Sequence, residues 1–278
     1  MVISFVADRS RNTARRCNMI VSHNEIISLV QKAFLGTRNE YGEADLIANM
    51  VAELQMAGLE GIRQFNNASD FLFNEQEVEL DIINNQIVDE VVLDENDEKS
   101  KSSLTLTFDF HGNSIAYHLP AVLDYALEHF ADDKHHHIKI ELKNCHNRWL
   151  AYGELVRLAV KGIACMARWD NGTDPKHTLF ILNLGNVYPE LYFFDEQVDE
   201  IDGPQDMIIE LADNDFVLER YGKNHVDYLS SEEILKRHQS SWDTGIKVNS
   251  VEWDILKETA KHMLVKNSEQ SMRGAGGV

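Results

Sequence analysis

The chain has 278 residues, and its 46 acidic against 26 basic side chains give a formal net charge of −20. A field of this sign repels phosphate backbones and anionic membrane surfaces, so nucleic-acid and membrane partners are disfavoured. Three cysteines, Cys17, Cys145 and Cys165, do not suit a disulfide framework. No apolar run approaches the roughly 20 residues that cross a bilayer. We therefore expect a soluble, cytoplasmic protein with free thiols and a substantial core.

Residues 1–18 differ from the rest because they contain four arginines and a single acid, Asp8. Such a leader is compatible with an organelle-targeting segment, a disordered arm or a start codon assigned too far upstream. The methionine at position 19 favours the third interpretation. We therefore treat 1–18 as a non-structural extension.

Two helices are predicted next, over residues 22–36 and 41–57. The first begins at a capping box, in which Ser22 and Glu25 each satisfy a free backbone N–H of the other's turn, and Gly36 suits a left-handed cap at its end. The second begins at Tyr41 and has apolar residues at helical spacing. A short loop between the two helices favours an antiparallel pair. A third, shorter helix is predicted over 67–73.

Period-two alternation then indicates strands. It begins at Val78, Leu80 and Ile82, and it resumes over 104–110 after the charged segment 94–103, which is predicted to be a linker or loop. A turn at 111–113 predicts a returning strand over 114–119. Pro120 then suits the first turn of a helix over 121–130.

The remaining chain alternates strands with helices. Strands are predicted over 138–142, 179–184, 207–211 and 216–220, and helices over 155–166, over 231–238 and from 250. The sequence therefore predicts an α+β fold: an N-terminal helical pair, then a mostly antiparallel sheet with interspersed helices and a C-terminal helix. We divide it into an extension (1–18), a helical segment leading into the first strands (19–93), a linker (94–103) and an α+β body with a glycine-rich tail (104–278).

Three motifs lie near the two ends of the chain. They are Ser22-His23-Asn24-Glu25-Ile26, Tyr41-Gly42-Glu43-Ala44-Asp45, and Ser268-Glu269-Gln270-Ser271-Met272-Arg273-Gly274-Ala275-Gly276. Together they resemble a bacterial family whose function is unknown, with a start beside Met19. That family usually has paired acids at the second helix, whereas Leu46 follows Asp45 here. The resemblance implies an outline of the fold and no reaction.

A further resemblance concerns the end of the second helix, Ala57-Gly58-Leu59-Glu60-Gly61. This stretch is similar to the malate/L-lactate dehydrogenase family that lacks a Rossmann fold. In that family Ser-His-Gly follows the helix, whereas this chain has Ile62-Arg63-Gln64. Nicotinamide binding is therefore not carried over, and any cofactor stays unknown.

The tail is the predicted anion site. Ser268, Ser271 and the Arg273 guanidinium, with backbone N–H groups around Gly274 and Gly276, can form a nest for phosphate or carboxylate. The competing interpretation is a frayed terminus. We expect the tail to pack against the helical pair and complete the site.

Two other parts of the sequence contain residues that are common in catalytic or metal sites. Asp45, with Tyr41 nearby, is the candidate general acid or base, although carboxylates are also favoured at a helix start by its dipole. His135 and His137 share one face of a predicted strand, but no known ligand spacing accompanies them, so no metal site is predicted. Cys165 is predicted to be a buried, unreactive thiol on a helix.

These observations leave two classes of function open. The first is an enzyme, or a subunit of one, acting on a small carboxylated or phosphorylated metabolite bound near the tail. The second is a non-catalytic binding or assembly protein whose N-terminal helices dock a partner. An exposed apolar stripe on those helices favours the second class, and a pocket that joins the second helix to the tail favours the first.

Overall fold

A computed structural model describes residues 18–36, 41–74, 81–90, 101–131, 135–195 and 203–261. Several predictions lie outside these residues, namely those for 1–17, for most of 94–103 and for the tail. The side chain of Tyr41 lies outside them too. Among the described residues, no helix is long and apolar enough to span a membrane.

Helices and strands alternate along most of the chain. The helices are α1 His23–Leu35, α2 Tyr41–Met56, α3 Gly61–Asn74, α4 Ile115–Ala131, α5 Tyr152–Arg157, α6 Leu218–Tyr221, α7 Ser231–Thr244 and α8 250–261. The strands are β1 Asn18–Val21, β2 Asp81–Glu90, β3 Lys101–Asp109, β4 His135–Lys143, β5 Ala164–Asp170, β6 His177–Leu182, β7 Glu190–Phe194, β8 Met207–Ala212, β9 Asp227–Leu229 and β10 Ile246–Asn249.

Eight strands form one sheet in the order β2-β3-β4-β8-β5-β6-β7-β9, and β1 pairs with β10 separately. All neighbours in the large sheet are antiparallel except β3 and β4, which are parallel and joined by α4. The predicted α+β class with a mostly antiparallel sheet is confirmed. β3 begins at Lys101, so the end of the predicted linker lies in the sheet.

The capping box of α1 forms as predicted. The backbone N–H of Glu25 donates to Ser22 Oγ at 3.2 Å, and the Ser22 N–H donates to Glu25 Oε2 at 2.7 Å. The left-handed cap at Gly36 is wrong, because Gly36 has φ −65° and its N–H still bonds the Lys32 carbonyl. The third helix is longer than predicted and begins at Gly61.

The returning strand over 114–119 is also wrong. His111 and Gly112 have positive φ values of 51° and 84° and redirect the chain directly into α4. Pro120 therefore lies inside α4 instead of in its first turn. A parallel β3–β4 pair requires such a crossover, whereas a hairpin would have produced an antiparallel pair.

Two more elements differ from the prediction. The helix predicted over 155–166 is shorter than expected, because α5 ends at Arg157 and only a 3-10 turn follows it. Gly162, at φ 69°, ends that turn. Cys165 therefore lies on β5 and not on a helix. The strand predicted over 216–220 is a loop followed by α6. The Asn183 side chain bonds both the N–H and the carbonyl of Phe216, at 2.8 and 2.9 Å, so this backbone is paired outside any sheet.

Most of the helices pack on one face of the large sheet and form the main core with it, whereas α6 packs on the opposite face. Leu106, Ile140 and Ile209 are fully buried on that face. The opposite face carries a smaller cluster that includes Met166, with Tyr192 at its edge. Cys165 is buried on the helical side, and burial raises the pKa of its thiol, which fits an unreactive role.

Candidate functional site

A cavity of about 440 Å³ lies where α2, α3 and α7 meet the strand ends of the sheet. The helical side is formed by the corner between α2 and α3 together with the start of α7. The other side is formed by the loop 171–175 between β5 and β6, by β7 and by β9. The residues that line the cavity come from segments far apart in the sequence, between Gly58 and Arg237.

Gly58 and Arg237 fix the helical corner of the cavity. Gly58 has φ +78°, and a Cβ there would lie 2.8 Å from Arg237 Nη1. Arg237 also donates to the Ala57 carbonyl at 3.3 Å. A cation at the carboxyl end of α2 is favoured by the helix dipole. A side chain at position 58 would displace the guanidinium.

A second guanidinium, that of Arg63 on α3, lines the same cavity. Arg63 Nη1 pairs with Glu60 Oε2 at 2.9 Å, and Arg237 Nε pairs with Glu233 Oε1 at 3.1 Å. Each guanidinium has five N–H donors, so these contacts leave donors on both arginines for a ligand. Both side chains are about one-third exposed, which keeps them within reach of solvent.

The strand side supplies an aromatic wall. The rings of Trp149 and Phe193 lie 6.4 Å apart and nearly parallel, and Trp149 also meets the buried Trp169 edge to face at 5.1 Å. The rings of Trp149 and Phe193 offer a flat apolar surface to a ligand. Tyr228 also borders the cavity, but its ring stacks on that of Tyr192 at 4.9 Å, on the opposite face of the sheet.

Two further carboxylates line this side. Asp227 Oδ1 accepts from the Tyr228 N–H at 2.7 Å, whereas its Oδ2 is buried and has no hydrogen-bond partner among the described groups. Burial raises the pKa of Asp227. Asp174 is exposed on the loop between β5 and β6. The loop is held by Asn171, which donates to the Pro175 carbonyl at 2.7 Å.

The residues predicted from sequence lie elsewhere or outside the described residues. Asp45 is exposed on α2, accepts from Gln31 Nε2 at 2.6 Å, and does not line the cavity. The Tyr41 side chain and the anion-binding residues Ser268, Ser271, Arg273, Gly274 and Gly276 are outside the described residues. Their roles remain predictions.

The histidines at the start of β4 contact acidic side chains. His137 Nε2 lies 3.0 Å from Glu210 Oε2, and His136 Nδ1 lies 2.5 Å from Asp213 Oδ2. Across the part of the chain that the structure describes, no group of three or more metal-ligating side chains is found.

Comparison with solved structures places the fold among dehydrogenases and reductases. Malate dehydrogenase from Pyrococcus horikoshii OT3 superposes with a TM-score of 0.59 at 9% identity, covering 88% of this chain and 96% of that chain. Sulfolactate dehydrogenase from Methanocaldococcus jannaschii gives 0.56 at 11% identity, covering 88% and 97%. Delta1-piperideine-2-carboxylate reductase from Pseudomonas syringae pvar. tomato gives 0.54 at 11% identity, covering 87% and 99%. At these identities the similarity is one of fold, which does not fix function.

The sequence also matches one protein-family model. Residues 21–114 match a family described as a protein of unknown function (DUF3726), which confirms the resemblance carried by the first two motifs. No curated protein matches the chain.

The fold raises the question of a nicotinamide cofactor, since hydride transfer relies on one. At the corner where the dehydrogenase resemblance expects Ser-His-Gly, Ile62 is buried in the core, whereas Arg63 and Gln64 line the cavity. A guanidinium cannot serve as a titrating acid near neutral pH. With Arg63 where the resemblance has a histidine, this corner of the cavity does not fit the chemistry of that cofactor.

Proposed function

We propose that this protein binds a small carboxylated metabolite in the cavity between α3, α7 and β9, and that it is an enzyme, or a subunit of one, acting on that metabolite. The observation that carries the proposal is the convergence of two guanidiniums, Arg63 and Arg237, on one cavity with an aromatic wall. The names of the solved relatives support it, since malate, sulfolactate and piperideine-2-carboxylate are all carboxylates.

The physical chemistry of the cavity favours this class of ligand. Guanidinium–carboxylate pairs are charge-assisted and often bidentate, which gives them both strength and orientation. The aromatic wall supplies apolar contact area beside the two arginines. A volume of about 440 Å³ lies within the range of roughly 300–1,000 Å³ typical of small-molecule sites.

Substitution of the two arginines tests the proposal. A thermal-shift screen against small carboxylates should identify acids that raise the melting temperature of the wild-type protein, because a ligand that binds only the native state stabilises it. Arg63→Gln and Arg237→Gln should each remove most of that shift.

Arg157→Gln is the matched control. Arg157 makes the same i,i+3 pair with a glutamate, Glu154, that Arg63 makes with Glu60, but it is outside the cavity. Its ligand-induced shift should equal that of the wild type. Equal shifts in all three variants would contradict carboxylate binding at this cavity.

The anion-binding tail predicted from the sequence is a further part of the proposal. α8, which precedes the tail, is fastened to α3, because Asn66 Nδ2 donates to both the Glu252 carbonyl and its carboxylate, at 3.0 and 2.8 Å. We propose that the tail adds Arg273 to the wall that α3 begins. Deleting 267–278 should then reduce ligand binding and leave the unfolding temperature of the free protein unchanged. Full binding by the truncated chain would remove the tail from the site.

The assembly alternative lacks the feature that would favour it. On α1 and α2, the large apolar side chains that the structure describes are buried or half-buried. No exposed apolar stripe is therefore found on the described faces of these two helices.

A further inference from the structure

The charges of the cavity wall do not balance. Arg63 and Arg237 are each paired with a glutamate, Glu60 and Glu233. Asp174 and Asp227 also line the cavity, and neither makes an ion pair with a described residue. The charged residues that line the cavity are therefore two arginines, Arg63 and Arg237, and three acids, Asp174, Asp227 and Glu233, so carboxylates are in excess.

The two signs of charge lie on different sides of the cavity. The arginines belong to the helical side, on α3 and α7, whereas Asp174 is on the β5–β6 loop and Asp227 is on β9. A simple monocarboxylate would meet the arginines and leave the strand side with uncompensated acids. A ligand that also carried positive charge would satisfy both sides.

Asp227 has one carboxylate oxygen that no described residue hydrogen-bonds. Its Oδ2 is buried without a hydrogen bond, and a buried unpaired carboxylate oxygen is costly. The neighbouring rings of Trp149 and Phe193 suit a cation as well as an apolar group, because the faces of aromatic rings attract positive charge. Acids beside aromatic faces are the combination that recognises a protonated amine.

We propose that the ligand of this cavity is a zwitterion of the amino-acid class, with its carboxylate on Arg63 and Arg237, its cationic nitrogen towards Asp174 and Asp227, and its apolar body against the aromatic wall. This inference rests on the proposed carboxylate-binding function. It adds that the nitrogen contributes to recognition. It also assigns Asp174 and Asp227 as specificity-determining residues.

The test uses matched triplets of probes: an amino acid, the acid that lacks its amino group, and the amine that lacks its carboxylate. Aromatic and aliphatic amino acids with the two charges close together or far apart are included, so that spacing does not decide the outcome. Titration calorimetry on the full chain should give, in at least one triplet, a zwitterion that binds about tenfold more tightly than both of its counterparts, the effect expected when one weak ion pair and one cation–π contact are added.

Aspartate variants test whether Asp174 and Asp227 bind the cationic nitrogen of the ligand. Asp174→Asn, at an exposed loop position, should weaken binding of the zwitterion several-fold, whereas binding of the deaminated acid should not weaken and should become slightly tighter, because one negative charge is removed from the cavity. Asp227→Asn should do the same. The control is Asp243→Asn, at an exposed position on α7 outside the cavity, which should alter neither. Should Asp227→Asn fail to fold, Asp174→Asn alone carries the test.

The outcomes separate the two proposals. If the deaminated acids bind as tightly as the amino acids, the zwitterion inference fails and carboxylate binding stands. If neither acids nor amino acids bind, the proposed function itself fails, and the inference with it. If the amines bind as tightly as the zwitterions, the arginines are not the carboxylate anchor, and both are overturned.

Discussion

His238 gives the helix that carries Arg237 a specific dependence on pH. It is 4% exposed on α7, its ring lies 4.5 Å from that of Tyr188, and its Nε2 has no hydrogen-bond partner among the described groups. Burial lowers the pKa of His238 from 6.5 to about 4. The folded state therefore favours the neutral ring, whereas the unfolded chain takes up a proton below pH 6.5.

The sign and size of the effect follow from linkage. Between pH 6.5 and 4 the unfolded state binds more protons at this residue, so the contribution to stability is complete above pH 6.5 and is lost as the pH falls through this range. Each pKa unit corresponds to about 1.4 kcal/mol, so moving from pH 7.5 to 4.5 should cost up to about 2.5 kcal/mol of unfolding free energy.

Urea denaturation at the two pH values measures this loss. His238→Gln should be less stable than the wild type at pH 7.5, because ring packing is lost, but it should lose about 2 kcal/mol less on acidification. Comparing the two proteins cancels the titration of all other groups. His225→Gln, at an exposed position, is the control and should follow the wild type. The same pH-dependent loss in the wild type and in His238→Gln would refute the reasoning.

Two substitutions test the packing of the N-terminal helices by urea denaturation. Gly61→Ala should destabilise the protein by about 3 kcal/mol, because the new Cβ would overlap the Val51 carbonyl and push α3 from α2, whereas Gly42→Ala, with open space around it, should leave stability unchanged or slightly raised. A mild effect of Gly61→Ala would show that the two helices separate easily. Ser22→Ala removes the capping bond and should cost about 1 kcal/mol, while Ser28→Ala on the exposed face of α1 should stay within about 0.5 kcal/mol of the wild type. Equal effects of both serine variants would argue against the capping box.

Local signals in the sequence were sufficient for much of the architecture. The capping box at Ser22 and the alternation over 104–110 depend only on neighbouring residues, and both features form as predicted. The strand predicted over 216–220 failed for a non-local reason, because Asn183 pairs with the Phe216 backbone from 33 residues away. A pattern of neighbouring residues cannot predict a contact between positions so far apart in the sequence.

The cavity was missed for the same reason. Arg237 reaches the Ala57 carbonyl across 180 residues, and the aromatic wall comes from separate turns and strands. The sequence did contain one signal, the replacement of Ser-His-Gly by Ile62-Arg63-Gln64. That replacement argues against nicotinamide binding, but by itself it does not indicate that Arg63 lines a cavity with Arg237.

The crystal structure of the protein with its tightest-binding amino acid tests the central claim most directly. We expect the ligand carboxylate within hydrogen-bond distance of the Arg63 and Arg237 guanidiniums, with its nitrogen on the side of Asp174 and Asp227. A ligand found in this cavity with its carboxylate away from both arginines, or bound elsewhere on the molecule, would contradict the claim.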